Sequence, residues 1–273
     1  MKKITRQTIR SIYRKREPDS HKGSYGHALL IAGSKGCMGA AVIAAKAGLR
    51  AGAGLLSVDV PKDEATILQV SVPEAMLVFR ENNNLINKSF SAAGIGPGLS
   101  LSQDNTKLVS YYLSNFGNPL ILDADALNCI AANKKLLKQI PPGTIITPHP
   151  KEFDRLFGQH VDTPARIITA IKQAEALQIV IVLKGHHTLI TSGGKSFINT
   201  TGNAGLAKGG SGDALTGMIT SFLAQGYIAL HAAILAVYLH GLAADIALKE
   251  QSMESMLITD VIECLGKAFK QLD

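Results

Sequence analysis

Tryptophan is absent from the 273 residues, aromatic residues make up only 5 %, and charged residues only 18 %. The three cysteines, Cys37, Cys129 and Cys264, stand far apart and form no Cys-x-x-Cys pair. That excludes a disulfide framework and a cysteine-based zinc site, and it points to reduced, cytoplasmic surroundings. No G-x-x-x-x-G-K-[ST] string occurs, so the chain is not a P-loop enzyme. No internal repeat, low-complexity tract, linker or apolar run of membrane-spanning length stands out. A single domain over residues 1–273 and no membrane partner are therefore expected. The amino-terminal segment lacks the apolar core of a signal peptide, so secretion is not expected.

What the chain has is a large apolar fraction, 46 %, and a formal charge of +7. Lys2, Lys3, Arg6, Arg10, Arg14, Lys15 and Arg16 crowd the first sixteen positions. Isoleucines 4, 9 and 12 and Tyr13 are spaced to turn inward from such a segment, so a solvated helix is favoured over an RNA or membrane arm. No helix-turn-helix, zinc-finger or RNA-binding signature follows, and no nucleic-acid partner is expected. A basic balance also suits polyanionic nucleotide ligands.

Short apolar runs bounded by turn residues read as strands at 27–32, 55–60, 75–79, 119–122, 144–146 and 179–183. Helical patterns lie between most of them, as at 39–53, 104–116 and 164–178. Strands that are apolar throughout belong in a sheet covered on both faces. Runs at 188–191 and 195–199 flank Ser192-Gly193-Gly194 and read as a hairpin. Helices alone follow, at 213–225, 229–249 and 258–272. The prediction is a three-layer α/β/α sandwich with a mainly parallel sheet and a small antiparallel hairpin.

The glycine-rich segment 202–217 carries the clearest chemical signal. Its turn Gly209-Gly210-Ser211-Gly212-Asp213 opens a helix. Glycines let backbone N–H groups crowd around an anion, and a helix terminus adds unpaired donors and a favourable dipole. Asp213 alone would read as a helix cap. Three glycines in four residues exceed what a cap needs and fit a loop around a transferring phosphoryl group, with Asp213 as the base for the attacking hydroxyl.

Other strand ends add polar groups. Gly33-Ser34-Lys35-Gly36-Cys37-Met38-Gly39 follows the first strand, but its spacing is not the dinucleotide fingerprint. It fits a ligand floor or an ordinary tight turn equally. Gly94-Ile95-Gly96-Pro97-Gly98 reads as a further turn, in which Gly98 permits close approach to a ligand or simply sits beside a rigid Pro97. Asp123 and Asp125 leave one strand, as either site carboxylates or turn and cap residues. His149 and Glu152 leave the next strand, and prolines on both sides of His149 suit positioning. Lys184-Gly185-His186-His187-Thr188 ends another, better read as nucleotide contacts than as a metal site. His21, His160, His231 and His240 are expected to be structural.

In this order the segments HKGSYGH (21–27), LRAGAGLLSVDVP (49–61), GIGPG, LDADALN, TPHPKEF, LKGHHT and GGSGD resemble the ADP/ATP-dependent NAD(P)H-hydrate dehydratases of the ribokinase-like superfamily. The resemblance runs from about His21 to the carboxyl-terminal helices. It implies phosphorylation of the ring hydroxyl of NADH or NADPH hydrate by ADP or ATP, then loss of phosphate to restore the reduced cofactor. It implies Asp213 as base and the amides of Gly209, Gly210, Ser211 and Gly212 as anion hole. Lys184, Gly185, His186, His187, Thr188 and Gly212 would contact the nucleotide. Ala41, Gly98, His149 and Asp213 would contact the hydrate, and Glu152 would help to hold Mg²⁺ through water. It further suggests a homo-oligomer, for which the apolar carboxyl-terminal helices offer an interface.

Two positions depart from the family pattern. Lys208 stands where a small residue is usual, to contact phosphate or face solvent, and Ala32-Gly33 replaces a Gly-Gly pair. The chain is too short for a fused epimerase domain, so epimerisation is not expected. Rival readings are a kinase for a thiazole, pyrimidine or pyridoxal-type alcohol and a non-catalytic nucleotide-binding regulator. GIGPG, TPHPKEF and LKGHHT resemble the dehydratases more, and the intact GGSGD disfavours the regulator.

Overall fold

Strands that are apolar on both faces need cover on both faces, and the alternation of their side chains shows where the cover lies. The computed structural model describes residues 1–80 and 89–272. Its strands are β1 (Lys2–Lys3), β2 (His27–Ile31), β3 (Leu55–Val60), β4 (Met76–Phe79), β5 (Ala92–Ile95), β6 (Leu120–Leu122), β7 (Ile145–Ile146), β8 (Val180–Leu183), β9 (Leu189–Ser192) and β10 (Lys195–Ile198). They form one sheet in the order β1-β10-β9-β8-β7-β6-β5-β2-β3-β4. Only β9 runs against the rest, antiparallel to both β8 and β10. A mainly parallel sheet with a β9–β10 hairpin is the predicted architecture.

The helices are α1 (Arg6–Ile12), α2 (Met38–Arg50), α3 (Ala65–Ser71), α4 (Gln103–Asn115), α5 (Ala124–Ala132), α6 (Pro150–Phe157), α7 (Thr163–Ala176), α8 (Ser211–Ala224), α9 (Ala229–Ala247), α10 (Ile258–Glu263) and α11 (Leu265–Lys270). Alternate strand residues enter two cores. Ala28, Leu30 and Ile121 pack with Ala44 of α2, Phe222 of α8 and Leu235 of α9. Leu29, Ile31 and Leu122 pack with Tyr112 of α4, Ile130 of α5 and Phe153 of α6. Each fully buried side chain of this size contributes about 1.5–3 kcal/mol.

Four sequence expectations change. Gly94 and Ile95 belong to β5, not to the turn after it. A Cβ on Gly94 would lie 2.2 Å from Thr220 Oγ1, so this glycine serves the close approach of α8 to a central strand. The helix expected at 258–272 divides at Cys264 (ψ −7°) into α10 and α11, beside the poor helix former Gly266. Helix α9 does have the length and composition of a membrane span, but 72 % of its apolar window is buried in the fold, as in a core helix. The apolar faces of α9, α10 and α11 pack in the core, so they are not free for an interface.

The amino-terminal segment is tied to the fold. Lys2 and Lys3 pair with β10, and Ile4 and Ile9 are fully buried. Arg14 and Arg16 each stack at 3.9 Å over an aromatic ring, Tyr227 and Tyr25 respectively. Arg10 Nε donates to Leu272 O at 2.8 Å.

Strand order reverses between β2 and β5. In open parallel sheets a crevice forms at that point, beyond the carboxyl ends of the strands. The turns at 33–39 and 96–98, Asp123, His149 and Lys184 all follow carboxyl strand ends.

Candidate active site

Lys184, just past β8, donates from Nζ to Asp123 Oδ1 at 2.7 Å, and the same nitrogen lies 3.9 Å from Glu152 Oε2. Asp123 occupies the N-cap position of α5, yet its side chain caps nothing there. Its other oxygen accepts from Thr216 Oγ1 of α8 at 2.9 Å. The Asp123 side chain is 1 % exposed and that of Lys184 21 %. This ion pair therefore joins β6, β8 and α8 at the end of the sheet. Burial alone works against the Lys184 ammonium, but Asp123, Glu152 and Asp213 outweigh it and hold its pKa above the ordinary lysine value.

Helix α8 begins at this pair. Gly210 is its N-cap, at φ +90°, and Asp213 sits in its first turn. Asp213 is thus not the cap, and no hydrogen bond of its carboxylate is found among the described residues. A Cβ on Gly212 would lie 3.2 Å from Lys184 Nζ and 3.4 Å from Asp123 Oδ2, so the first turn rests directly on the ion pair. The opening amides of a helix have no intrahelical acceptor and are available to an anion. Burial, then the charge of Asp123, raises the Asp213 carboxyl to about 6; Lys184 opposes this and Asp125 adds to it.

His149 is the N-cap of α6, and its Nδ1 accepts from Lys151 N (3.1 Å) and Glu152 N (3.3 Å). Burial lowers its pKa, aided by Lys184 and Arg155. A neutral ring with Nδ1 accepting carries its proton on Nε2, which is 3.4 Å from Glu152 Oε1. Glu152 is buried, and its Oε2 accepts from His149 N at 2.8 Å. Burial raises its pKa, against the pull of Lys184. Among the described residues, no group of three or more His, Cys, Asp or Glu could hold a metal ion.

A cavity of about 760 Å³ opens above these groups. Of the residues expected at a site, His149, Lys184, Gly185, His186, Thr188, Gly209, Ser211, Gly212 and Asp213 line it. His187 stacks beside His186, with ring centroids 4.2 Å apart, and is exposed. Gly210 and Glu152 lie behind the lining. Ala41 and Gly98 are not brought to this cavity. Ala41 is fully buried in α2 beneath Gly33. Gly98 packs against Cys37 and Ala40.

Lys208 lines the cavity. It donates to the carbonyls of Glu254 and Met256 and so ties the glycine-rich turn to the segment before α10. His240, expected to be structural, lines the far wall on α9. It is 7 % exposed, its Nε2 is buried with no hydrogen-bond partner among the described residues, and burial lowers its pKa to about 4. A neutral imidazole therefore forms part of the cavity wall. His160 is structural as expected, between Asp154 Oδ1 (2.8 Å) and Thr169 Oγ1 (2.9 Å).

A family model described as NAD(P)H-hydrate dehydratase matches residues 28–267. The chain belongs to that family. The ADP-dependent (S)-NAD(P)H-hydrate dehydratase of Bacillus subtilis is 36 % identical over 98 % of both chains. A crystal structure of the B. subtilis ADP/ATP-dependent NAD(P)H-hydrate dehydratase, co-crystallised with ATP/Mg²⁺, superposes with a TM-score of 0.90 over 100 % of this chain and 99 % of that one, at 35 % identity. The bifunctional NAD(P)H-hydrate repair enzyme of Thermofilum pendens is 35 % identical over 94 % of this chain. This chain spans about half the length of that relative, 52 %. A hydroxyethylthiazole kinase from Pyrococcus horikoshii, 13 % identical with a TM-score of 0.66, shares the α/β fold.

Proposed function

We propose that this chain restores NADH and NADPH from their hydrates at the expense of ADP or ATP. The observation that carries the reading is the Asp213 carboxylate, raised to about 6, on a glycine-rich helix terminus that rests on the Lys184–Asp123 pair. Such a base is still largely ionised at neutral pH yet basic enough to take a hydroxyl proton in the transition state.

In this reading the nucleotide phosphates lie over the amides of the 209–212 turn and beside Lys184. His149 and Asp213 face the hydrate, and Gly98 and Ala41 shape the ground behind it. Asp213 takes the proton of the ring hydroxyl as that oxygen bonds to the terminal phosphorus, and the phosphorus–oxygen bond to the nucleotide breaks. The ring carbon–oxygen bond then breaks with its electron pair leaving on phosphate. The ring nitrogen supplies electrons, and loss of a neighbouring ring proton restores the double bond. Phosphate is a good leaving group, so the protein's main task is charge stabilisation during transfer.

The donor set fits Mg²⁺ that arrives with the nucleotide, since among the described residues no group of three or more His, Cys, Asp or Glu could cage it. Glu152 would hold it through water, and the ion, when bound, neutralises phosphate charge. The direct test is to incubate the protein with hydrated NADH, Mg²⁺ and either nucleotide and to follow the absorbance of reduced nicotinamide. Recovery is expected. No recovery with either nucleotide, or phosphorylation of a thiazole or pyrimidine alcohol instead, would overturn the reading.

The base also sets the acid limb of the pH profile. Protonated Asp213 cannot accept a proton, so kcat/KM should fall as pH drops through about 6, at about tenfold per unit on the limb. A limb near the ordinary aspartate value of about 3.9 would remove Asp213 as the titrating base.

Cytoplasmic self-association completes the reading. Cys37, Cys129 and Cys264 are all free thiols. Ile67 and Val70 on α3 are 43 % and 77 % exposed, and Met76 on the edge strand β4 is 41 % exposed, a surface that a second copy would cover. Light scattering should give a mass above the 28.9 kDa of one chain; a monomer at working concentration would contradict this part.

A further inference from the structure

Asp59, the penultimate residue of β3, is a fully buried carboxylate. Arg80, the first residue past β4, folds over it. Its Nε donates to Asp59 Oδ1 at 2.8 Å, and Nη2 donates to Asp59 O at 2.8 Å and to Ala32 O at 2.9 Å. Nη1 donates to Gly33 O at 2.9 Å. One planar guanidinium thus binds a carboxylate and three backbone carbonyls, and its side chain is only 14 % exposed.

A buried ion pair contributes little net stability, because desolvation offsets the attraction, and packed apolar residues would join β3 to β4 at least as well. What an apolar pair cannot do is hold carbonyls. The two carbonyls outside β3 belong to Ala32 and Gly33, immediately past β2. Gly33 N in turn donates to Pro97 O at 2.8 Å, and Ser34 Oγ donates to Gly98 O at 2.8 Å. The grip of Arg80 on the first turn therefore extends to the second, across the point where the strand order reverses. Both turns stand at strand ends beside that reversal, and the proposed reading puts the hydrate against Gly98 of the second.

We propose that Arg80, ion-paired to Asp59, is a positioning residue for the acceptor subsite. It fixes the 33–39 and 96–98 turns together, so that the ring hydroxyl of the hydrate meets Asp213. It touches neither substrate. The inference rests on the reading of hydrated nicotinamide as acceptor.

Two variants test it. Arg80→Lys keeps the charge opposite Asp59 but replaces the fork with a single nitrogen that cannot span three carbonyls. Asp59→Asn with Arg80→Met removes both charges and leaves neither buried alone. In both, KM for the hydrate should rise about tenfold, with nucleotide Kd, measured without hydrate, unchanged. Amide hydrogen exchange should quicken at 33–39 and 96–98 but not at 209–213. A pair that only stabilises the fold would shift the denaturation midpoint and leave the hydrate KM and the local exchange unmoved, which would overturn the proposal. Should wild-type protein fail to turn over hydrate, the functional reading fails. The exchange measurement then still decides whether Arg80 holds the two turns, and unaltered exchange there refutes it.

Discussion

Asp213→Asn is expected to lower kcat by about 10²–10⁴-fold while nucleotide binding persists. Asparagine has the same shape and cannot accept the hydroxyl proton. The anion-binding groups are backbone amides of α8 and the Lys184 ammonium, which the substitution leaves in place. The change also removes a half-buried carboxyl whose ionisation is opposed by desolvation and by Asp123, so the variant should be no less stable than the parent. Isothermal calorimetry with ATP and Mg²⁺ alongside turnover separates the two effects. Retained turnover would take Asp213 out of its role, and parallel loss of nucleotide affinity would mean that it binds instead of acting as base.

Lys184→Met should be costly in a different way. It strands Asp123, 1 % exposed, with Thr216 alone among the described residues as a remaining side-chain partner. Breaking a buried pair from one side costs about 3–5 kcal/mol, readable from denaturant unfolding. Nucleotide affinity should fall as well, because the cation beside the 209–213 turn is gone. Adding Asp123→Asn to Lys184→Met removes the orphaned charge and should recover part of the stability but none of the nucleotide affinity. That split distinguishes a ligand-binding cation from a purely structural one. Unchanged stability and affinity in the single variant would refute both roles.

The sheet was legible because its central strands are apolar on both faces, a pattern that 28–31 and 180–183 show without interruption. The phosphate turn was legible because three glycines precede Asp213 where a helix begins. Partnerships across the chain were not. Lys184 and Asp123 lie 61 positions apart, and only the sheet order makes them neighbours. Asp59 sits in an apolar strand and Arg80 just past one, with nothing local to show that they meet.

His240 has apolar residues on both sides along α9, so a core role was the natural expectation; its unpartnered nitrogen appears only once the cavity is seen. Gly94 reads as a turn from sequence because glycine marks both turns and places where a helix presses on a strand. Periodicity does not separate those cases. Lys208 looked like a phosphate ligand or a solvent-facing residue, yet backbone carbonyls from a later segment hold it.

The central claim is that phosphate is put on the ring hydroxyl in order to be lost with it, and the fate of the hydroxyl oxygen tests this most directly. NADH hydrate carrying an isotopic oxygen label at that position should be turned over with ATP and the released phosphate analysed by mass spectrometry. Phosphorylation followed by carbon–oxygen cleavage predicts one labelled oxygen in each phosphate released. Label appearing in water, with unlabelled phosphate, would contradict the account.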